Sequence, residues 1–337
     1  LTFYWDTPEF SSYLSRELSN LFIRLSTYIA IASLFIQYFF SVITYNIYNQ
    51  KKVWIFYGTK DKFNEIMKEI GGLKKDLVLS WHSNQDDLEG INIQNTKGII
   101  IGNLNDLNKR NLEIIFKLKL KGVVVEGLLS WFEKEFHRMP TNIIENKYQL
   151  IEKLKSIEDS YQLRTKRIGD LLVSTFLVMI TSPLFILISI LIWAEDNGPI
   201  FYTQTRTGLN GNLFKIIKFR SMKIDAERYG IQWSKQRDPR ITFIGKIIRS
   251  LRLDELPQLF CVIKGTMSLI GPRPERPEIE NELLQNIPYY SCRNILRPGI
   301  SGWAQVNYPY GASVSDTQKK LSFDIYYISH FSILLDL

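Results

Sequence analysis

Residues 171–194 read LLVSTFLVMITSPLFILISILIWA, 24 positions without a charge, preceded by Lys166 and Arg167. A helix of that length reaches about 36 Å, more than the ~30 Å hydrocarbon core of a bilayer. A segment this apolar on every side must be buried in a core or in lipid. If it crossed the membrane, whatever follows it would lie on the opposite side from whatever precedes it. Ser182-Pro183, at its middle, offers a second solution. Proline removes a helical hydrogen bond and bends or breaks the helix, and a nearby serine hydroxyl can satisfy the freed carbonyl. A helix bent at mid-depth can enter and leave through one leaflet, which keeps both flanks on the same side. Length and composition alone leave the kinked span and the hairpin equally open.

A second uncharged run lies between Arg24 and Lys51, 26 residues whose apolar core is about Leu25 to Tyr45. It is long enough to span a bilayer, with a buried core helix as the alternative. Tyr45, Tyr48 and then Lys51-Lys52 follow, which places the next segment in the cytoplasm by the distribution of positive charge. That segment alternates. VWIFYG is followed by the helix-like DKFNEIMKEI, and KGIIIGNLNDLNKRNLEIIFKLKLKGVVVEG reads as strand, helix, strand. Such alternation predicts a parallel sheet, Rossmann-like in class. The phosphate fingerprint GxGxxG is absent, so the domain is expected to be a degenerate nucleotide-binding fold with a regulatory or packing role. Residues 151–165 read as a polar helical linker.

The chain has 337 residues and a formal charge of +8, enough for two domains that each bury a core. Its first residue is Leu1 and its last, Leu337, ends the apolar run SILLDL, so it reads as a fragment at both ends. Cys261 and Cys292, the only cysteines, belong to no CxxC or Cys/His cluster. That argues against a zinc site or a disulfide framework and fits a reducing compartment. His82, His137 and His330 are scattered and read as lone histidines rather than metal ligands.

The charge is concentrated. Residues 199–273 hold 14 Lys/Arg against 5 Asp/Glu, and the rest of the chain is close to neutral. A basic segment of this kind invites phosphates, a lipid surface or nucleic acid. GLNGN predicts a hairpin turn, and LFKIIKFRSM sets Lys215, Lys218 and Arg220 on a strand or its end. Arginine and lysine together can hold a pyrophosphate. Phe243, Ile244, Ile247, Ile248 and Leu251 lie at helical spacing with Lys246 and Arg249 beside them. This basic amphipathic pattern suits a membrane surface and equally suits packing on a core.

Within this basic region stands the pair Asp254-Glu255, in SLRLDELPQL. Asp254 is a candidate N-cap, with Pro257 in the first turn of the helix it would start. There it would meet free N–H groups and the positive end of the dipole, and with Arg249 one turn earlier it should stay ionised. Glu255 beside it could share a hard cation such as Mg²⁺ with phosphate oxygens. A carboxylate nucleophile, a metal-binding carboxylate and an arginine-lined anion site suit phosphoryl transfer. Arg273, held between two prolines in GPRPE, supplies another fixed cation.

Residues 166–337 resemble, nearly throughout, the bacterial sugar transferase family of monotopic phosphoglycosyl transferases. The stretches that carry the resemblance are KRIGDLLVSTFLVMITSPLFILI, KFRSM, RSLRLDELPQLFCVIKGTMSLIGPRP and RPGISGWAQVNY. The upstream order of transmembrane helix and Rossmann-like domain resembles the long-form members that initiate exopolysaccharide assembly. This likeness implies a re-entrant helix broken at Ser182-Pro183. It implies that Asp254 attacks the β-phosphorus of a UDP-hexose, glucose or galactose, releases UMP and carries the sugar phosphate. Glu255, with Asp254, would bind Mg²⁺. Undecaprenyl phosphate would then take the group, with Lys218, Arg220, Arg249 and Arg273 lining the phosphate site. The variant segment Asn307–Ala312 stands where many members have a Gly-Arg-Asn type stretch, so no role of that arginine carries over.

The expectation is therefore a membrane-associated α/β protein. Residues 1–20 form an N-terminal segment, 21–50 a transmembrane helix, and 51–150 a Rossmann-like domain. A linker at 151–165 and a re-entrant helix at 166–195 lead to an α+β catalytic domain at 196–337. The partners implied are a UDP-hexose, undecaprenyl phosphate, the bilayer of the bacterial inner membrane at its cytoplasmic face, and a second copy of the chain. A non-catalytic scaffold or nucleotide-sugar sensor is the rival reading, although it would need neither the carboxylates nor Arg273. Nucleic-acid binding is disfavoured, because the positive charges alternate with apolar runs and prolines and no known motif appears.

Overall fold

A computed structural model describes residues 24–42, 53–71, 77–83, 88, 95–103, 107–144, 147–154, 161–226, 238–309, 311 and 313–337. The expected N-terminal segment, Tyr45, Tyr48, Lys51, Lys52 and linker residues 155–160 lie outside that set. The chain divides into two compact units, Leu1–Gly127 and Leu128–Leu337.

In the first unit, helix α1 (Arg24–Val42) spans 19 residues and is exposed throughout. It is about 28 Å long, close to the thickness of a hydrocarbon core. The expected parallel sheet follows. Strands β1 (Val53–Tyr57), β2 (Leu79–His82), β3 (Thr96–Ile101) and β4 (Val124–Gly127) lie in the order β2-β1-β3-β4. All three pairings are parallel, with Ile55, Phe56 and Tyr57 opposite Ile99, Ile100 and Ile101. Continuous apolar strands of this kind are what a sheet covered on both faces requires. Helix α2 (Lys60–Ile70) starts at Thr59, whose hydroxyl accepts from Lys62 N, and stops at Gly71 with φ 38°. Helix α3 (Lys109–Leu120) is capped by Asn108, and its buried Asn111 donates to the Tyr57 hydroxyl at 2.7 Å. At the carboxyl ends of β1 and β3 stand Gly58 and Gly102. A methyl group on either would fall within 3 Å of the Phe56 ring. These glycines make room for an aromatic side chain that is fully buried and packs on Phe63 of α2.

The second unit begins earlier than expected, since α4 (Leu128–Phe136) and α5 (Lys147–Lys153) belong to it. Their Leu129 and Leu150 join Leu283, Ile287, Tyr290, Leu321 and Ile325 in one core cluster. Glu133 ties the same elements together, meeting Lys153 Nζ at 2.6 Å and His330 Nε2 at 2.7 Å. His330 is thus held against the Glu133 carboxylate rather than standing as a lone histidine. Next come α6 (Tyr161–Asp196), β5 (Phe201–Thr207), β6 (Leu213–Phe219), α7 (Phe243–Ser250), α8 (Gln258–Lys264) and β7 (Ser268–Ile270). The unit ends with α9 (Pro277–Asn286), β8 (Gly299–Ser301), α10 (Trp303–Asn307), α11 (Val314–His330) and α12 (Ile333–Asp336). The hairpin expected around GLNGN is present, β5 pairing antiparallel to β6, with Asn210 and Gly211 at φ 54° and 78° in the turn.

Helix α6 differs from the expected broken helix in two respects. It starts five residues earlier, at Tyr161, and its helical backbone continues without interruption through Ser182-Pro183. Pro183 cannot donate to the carbonyl four residues back, that of Met179. The Ser182 hydroxyl takes that carbonyl instead, at 2.8 Å, so the backbone loses a bond without leaving an acceptor unsatisfied.

Both ends of α6 are fastened to the same unit. Near the start, Arg167 donates to the Val262 and Ile263 carbonyls at 2.6 and 2.9 Å, closing the C-terminus of α8. The buried Asp170 carboxylate accepts from Ser268 Oγ at 2.7 Å and Leu269 N at 3.1 Å. Near the end, Ile188 and Ile192 pack on Phe219 and Ile248, and Glu195 accepts from Phe243 N at 2.7 Å at the start of α7. Phe176, Met179 and Ile180, midway between these anchorages, are exposed. Arg167→Ala should lower stability by about 2–3 kcal/mol, because two charge-assisted bonds to otherwise orphaned carbonyls are lost. The thermal unfolding midpoint in detergent measures this.

Candidate active site

Asp254 and Glu255 lie in a 3-10 turn, Leu253–Glu255, between α7 and α8. Arg252 precedes it at φ 58°, a left-handed conformation that turns the chain sharply out of α7. Helix α8 begins only at Gln258, with Pro257 at its cap position. Asp254 is therefore not the N-cap of α8, and no helix dipole acts on it from that end. The turn is set by Arg252, a signal that residue preferences do not carry.

Glu255 is buried and forms the centre of the site. Its Oε1 accepts from Lys218 Nζ at 3.0 Å and from Arg273 Nη2 at 2.8 Å. Lys218 comes from β6, and Arg273 from the loop between β7 and α9. Burial alone would raise the Glu255 pKa, but the Arg273 and Lys218 charges and hydrogen bonds outweigh it and hold it down at about 2. Asp254 behaves in the opposite way. Burial raises its pKa and the Glu255 charge adds to the rise, against the lowering effects of Lys218 and Arg249. Arg249 works in the expected direction, toward the ionised form, and desolvation works against it. Two adjacent carboxylates are thus driven apart, one locked as an anion and the other more basic than usual. Such a split assigns different chemical roles to the two members. Lys218 is itself lowered by burial, in part offset by Glu255.

Of the expected phosphate-site cations, Lys218, Arg249 and Arg273 act on the pair. Arg220 does not. Its buried guanidinium forms an ion pair with Asp196 at the end of α6 and reaches the Ile192 carbonyl. That pairing joins residues 24 apart and was not legible in the local pattern. The loop bearing Arg273 also depends on two arginines that sequence reasoning missed. Arg293 donates to the Arg273 carbonyl at 2.7 Å, and Arg206 reaches the Pro274 carbonyl at 3.4 Å.

Among the described residues no group of three or more His, Cys, Asp or Glu could hold a metal ion. The Asp254-Glu255 pair supplies two carboxylates, which suffices for Mg²⁺ only when substrate phosphates complete the coordination. In the variant segment, Tyr308 donates to Asp316 at 2.9 Å and Lys320 donates to the Gly311 carbonyl at 2.6 Å. The segment is thereby tied to the first turns of α11. Tyr310 and Ala312 lie outside the described residues.

The profile of the bacterial sugar transferase family matches residues 161–337, which include every residue of this site. The chain belongs to the bacterial sugar transferase family. Over 171 residues it is 47% identical to the UDP-N-acetylgalactosamine-undecaprenyl-phosphate N-acetylgalactosaminephosphotransferase of Aeromonas hydrophila, covering 51% of this chain and 40% of that protein. It is 36% identical over 174 residues to the UDP-glucose:undecaprenyl-phosphate glucose-1-phosphate transferase of Escherichia coli K12, covering 51% of this chain and 38% of that one. The exopolysaccharide production protein ExoY of Sinorhizobium fredii is 36% identical over 188 residues, covering 51% and 80%. The chain therefore spans about two fifths of the first two relatives. All three likenesses fall on about half of this chain.

The split pair carries a sign that can be checked. If the Asp254 carboxylate is the reacting group, activity rises with pH through its raised pKa, so the acid limb lies above the ordinary value of 3.8. Arg249→Gln removes a lowering charge and should move that limb upward. A pH–rate profile of kcat/KM for both proteins measures the displacement.

Proposed function

We propose that this protein transfers a sugar 1-phosphate from a UDP-sugar to undecaprenyl phosphate, through a covalent intermediate on Asp254. The observation that carries this reading is the divided pair: a basic, partly desolvated Asp254 beside Glu255, with Lys218 and Arg273 converged on Glu255 Oε1. An Asp254 oxygen attacks the β-phosphorus, and the bond from that phosphorus to the bridging oxygen breaks. UMP leaves with the electron pair. A phosphate oxygen of undecaprenyl phosphate then attacks the same phosphorus, the aspartyl bond breaks, and the Asp254 carboxylate is regenerated. Lys218, Arg249 and Arg273 offset the charge that develops on the phosphoryl oxygens. Mg²⁺, held by Asp254 and Glu255 together with substrate phosphates, would supply further charge neutralisation there.

The relatives are named for N-acetylgalactosamine and for glucose, so the donor class widens from hexoses to N-acetylhexosamines. One relative's name ties it to exopolysaccharide production, which supports a role at the start of such an assembly.

The membrane arrangement follows from how α6 is held. Its two ends are anchored on one compact unit and its middle is exposed, which favours re-entry over crossing. A helix of 36 residues would run about 54 Å if straight, more than a whole hydrocarbon core. Re-entry therefore calls for a bend, and Pro183, where a backbone hydrogen bond is missing, is the place for it. Helix α7 adds a second lipid-facing surface. Ile244 and Ile248 pack inward, while Phe243, Ile247 and Leu251 are exposed beside Lys246 and Arg252. The inward face packs on a core, and the exposed face is the one a membrane surface would take. The catalytic unit would rest on the cytoplasmic face of the inner membrane, where a UDP-sugar is available.

The test is UMP release from UDP-glucose, UDP-galactose, UDP-N-acetylglucosamine and UDP-N-acetylgalactosamine, with undecaprenyl phosphate and Mg²⁺ in nanodiscs. One sugar should give release, and Asp254→Asn should reduce it to the uncatalysed level. Release that survives Asp254→Asn would remove the covalent step. No release from any sugar would favour the scaffold reading.

A further inference from the structure

The loop Gly271–Glu275 carries Arg273, and its two prolines leave it few N–H groups with which to hold itself. It is held through its carbonyls instead. The Pro272 carbonyl accepts from Gly299 N at 3.0 Å and the Glu275 carbonyl from Thr207 N at 3.0 Å. Side chains take the two between them: Arg293 Nη2 on the Arg273 carbonyl at 2.7 Å, and Arg206 Nη1 on the Pro274 carbonyl at 3.4 Å. Arg293 is buried. Its Nη1 donates to the Tyr290 hydroxyl, and its Nη2 meets Asp324 Oδ2 of α11 at 3.3 Å. Asp324 is only 3% exposed, and a second carboxylate, Glu275 Oε1 of the loop itself, lies 3.9 Å from Arg293 Nη1.

A buried ion pair is a poor source of stability, since well-packed apolar residues of the same volume often do as well. What an arginine does that apolar packing cannot is span several acceptors at once in a fixed planar fork. Here the fork connects α11, the Tyr290–Ile295 turn and the main chain of the residue that grips Glu255. We propose that Arg293, locked by Asp324, is a positioning residue for the transfer reaction. It fixes the Arg273 backbone so that the guanidinium lies on Glu255 rather than elsewhere. This assignment rests on the transferase reading given above.

The test uses the whole chain in nanodiscs, with the active donor sugar. Asp324→Asn and Arg293→Lys should each lower kcat about 10- to 100-fold, the loss expected when a charged group is displaced by about 1 Å. KM for the UDP-sugar should change less than about threefold. In an Arg273→Ala background neither substitution should lower kcat further, because the group they position is already gone. Arg293→Lys keeps the charge balance with Asp324, so it still gives a result where Asp324→Asn does not fold. Losses that multiply with Arg273→Ala, or a kcat that falls only in step with the folded fraction, would overturn the positioning role while leaving the transferase reading intact. An inactive wild-type protein would overturn both.

Discussion

Glu255 is a buried anion that two cations from separate parts of the chain must reach simultaneously. Lys218 comes in on β6 and Arg273 on a loop 55 residues further along the chain, and both close on the same oxygen, Oε1. Removing one partner from a buried group of this type costs roughly 3–5 kcal/mol, because the remaining charge is left in low dielectric. The convergence therefore constrains the fold around it. β6 must lie against the 3-10 turn, and the Arg273 loop must be held at a set height above both. Asp254 inherits its environment from this arrangement: it shares the desolvation and is repelled by a neighbour that cannot be protonated near neutral pH.

The same unit solves a second problem, how to keep an apolar helix attached to a polar catalytic body. Each end of α6 exchanges a specific polar contact for one that the unit needs. Arg167 closes the C-terminus of α8, Asp170 receives the start of β7, and Glu195 receives the N-terminus of α7. Helix α8 follows directly on the Asp254-Glu255 turn, and β7 leads directly into the Arg273 loop. Helix α6 is thus coupled to the site through the elements that carry its residues.

Much of this was legible in the chain. The carboxylate pair stood out against a local excess of positive charge, the GLNGN turn gave its hairpin, and the alternating segment gave its parallel sheet. What was hidden depended on contacts between distant residues. Arg220 lies in the same short stretch as Lys218, yet Asp196 takes it. The αL residue Arg252, which no side-chain preference foretells, moved Asp254 off the helix cap. The boundary near residue 150 shifted to Gly127 because Leu129 and Leu150 find their partners on α9 and α11, far downstream. Ser182-Pro183 suggested a break, whereas the serine hydroxyl supplies the carbonyl's missing partner and the helix continues. One signal was present and not used. Asp324 shares an α11 face with Leu321, Ile325 and Ile328, and a carboxylate on an apolar stripe must have a buried cation opposite.

The basic segment also shows why a charge count overstates an anion site. Arg220 is neutralised by Asp196, Arg240 by Asp238, and Arg206 holds a loop carbonyl. These cations serve the fold. Lys218, Arg249 and Arg273 instead act on the carboxylate pair. A diphosphate entering this site would meet donors whose positions have been fixed by folding, so little reorganisation remains for the reaction itself. Glu255 is what makes that possible. It keeps two mutually repelling cations together, and it does so with a carboxylate too acidic to lose its charge to a proton.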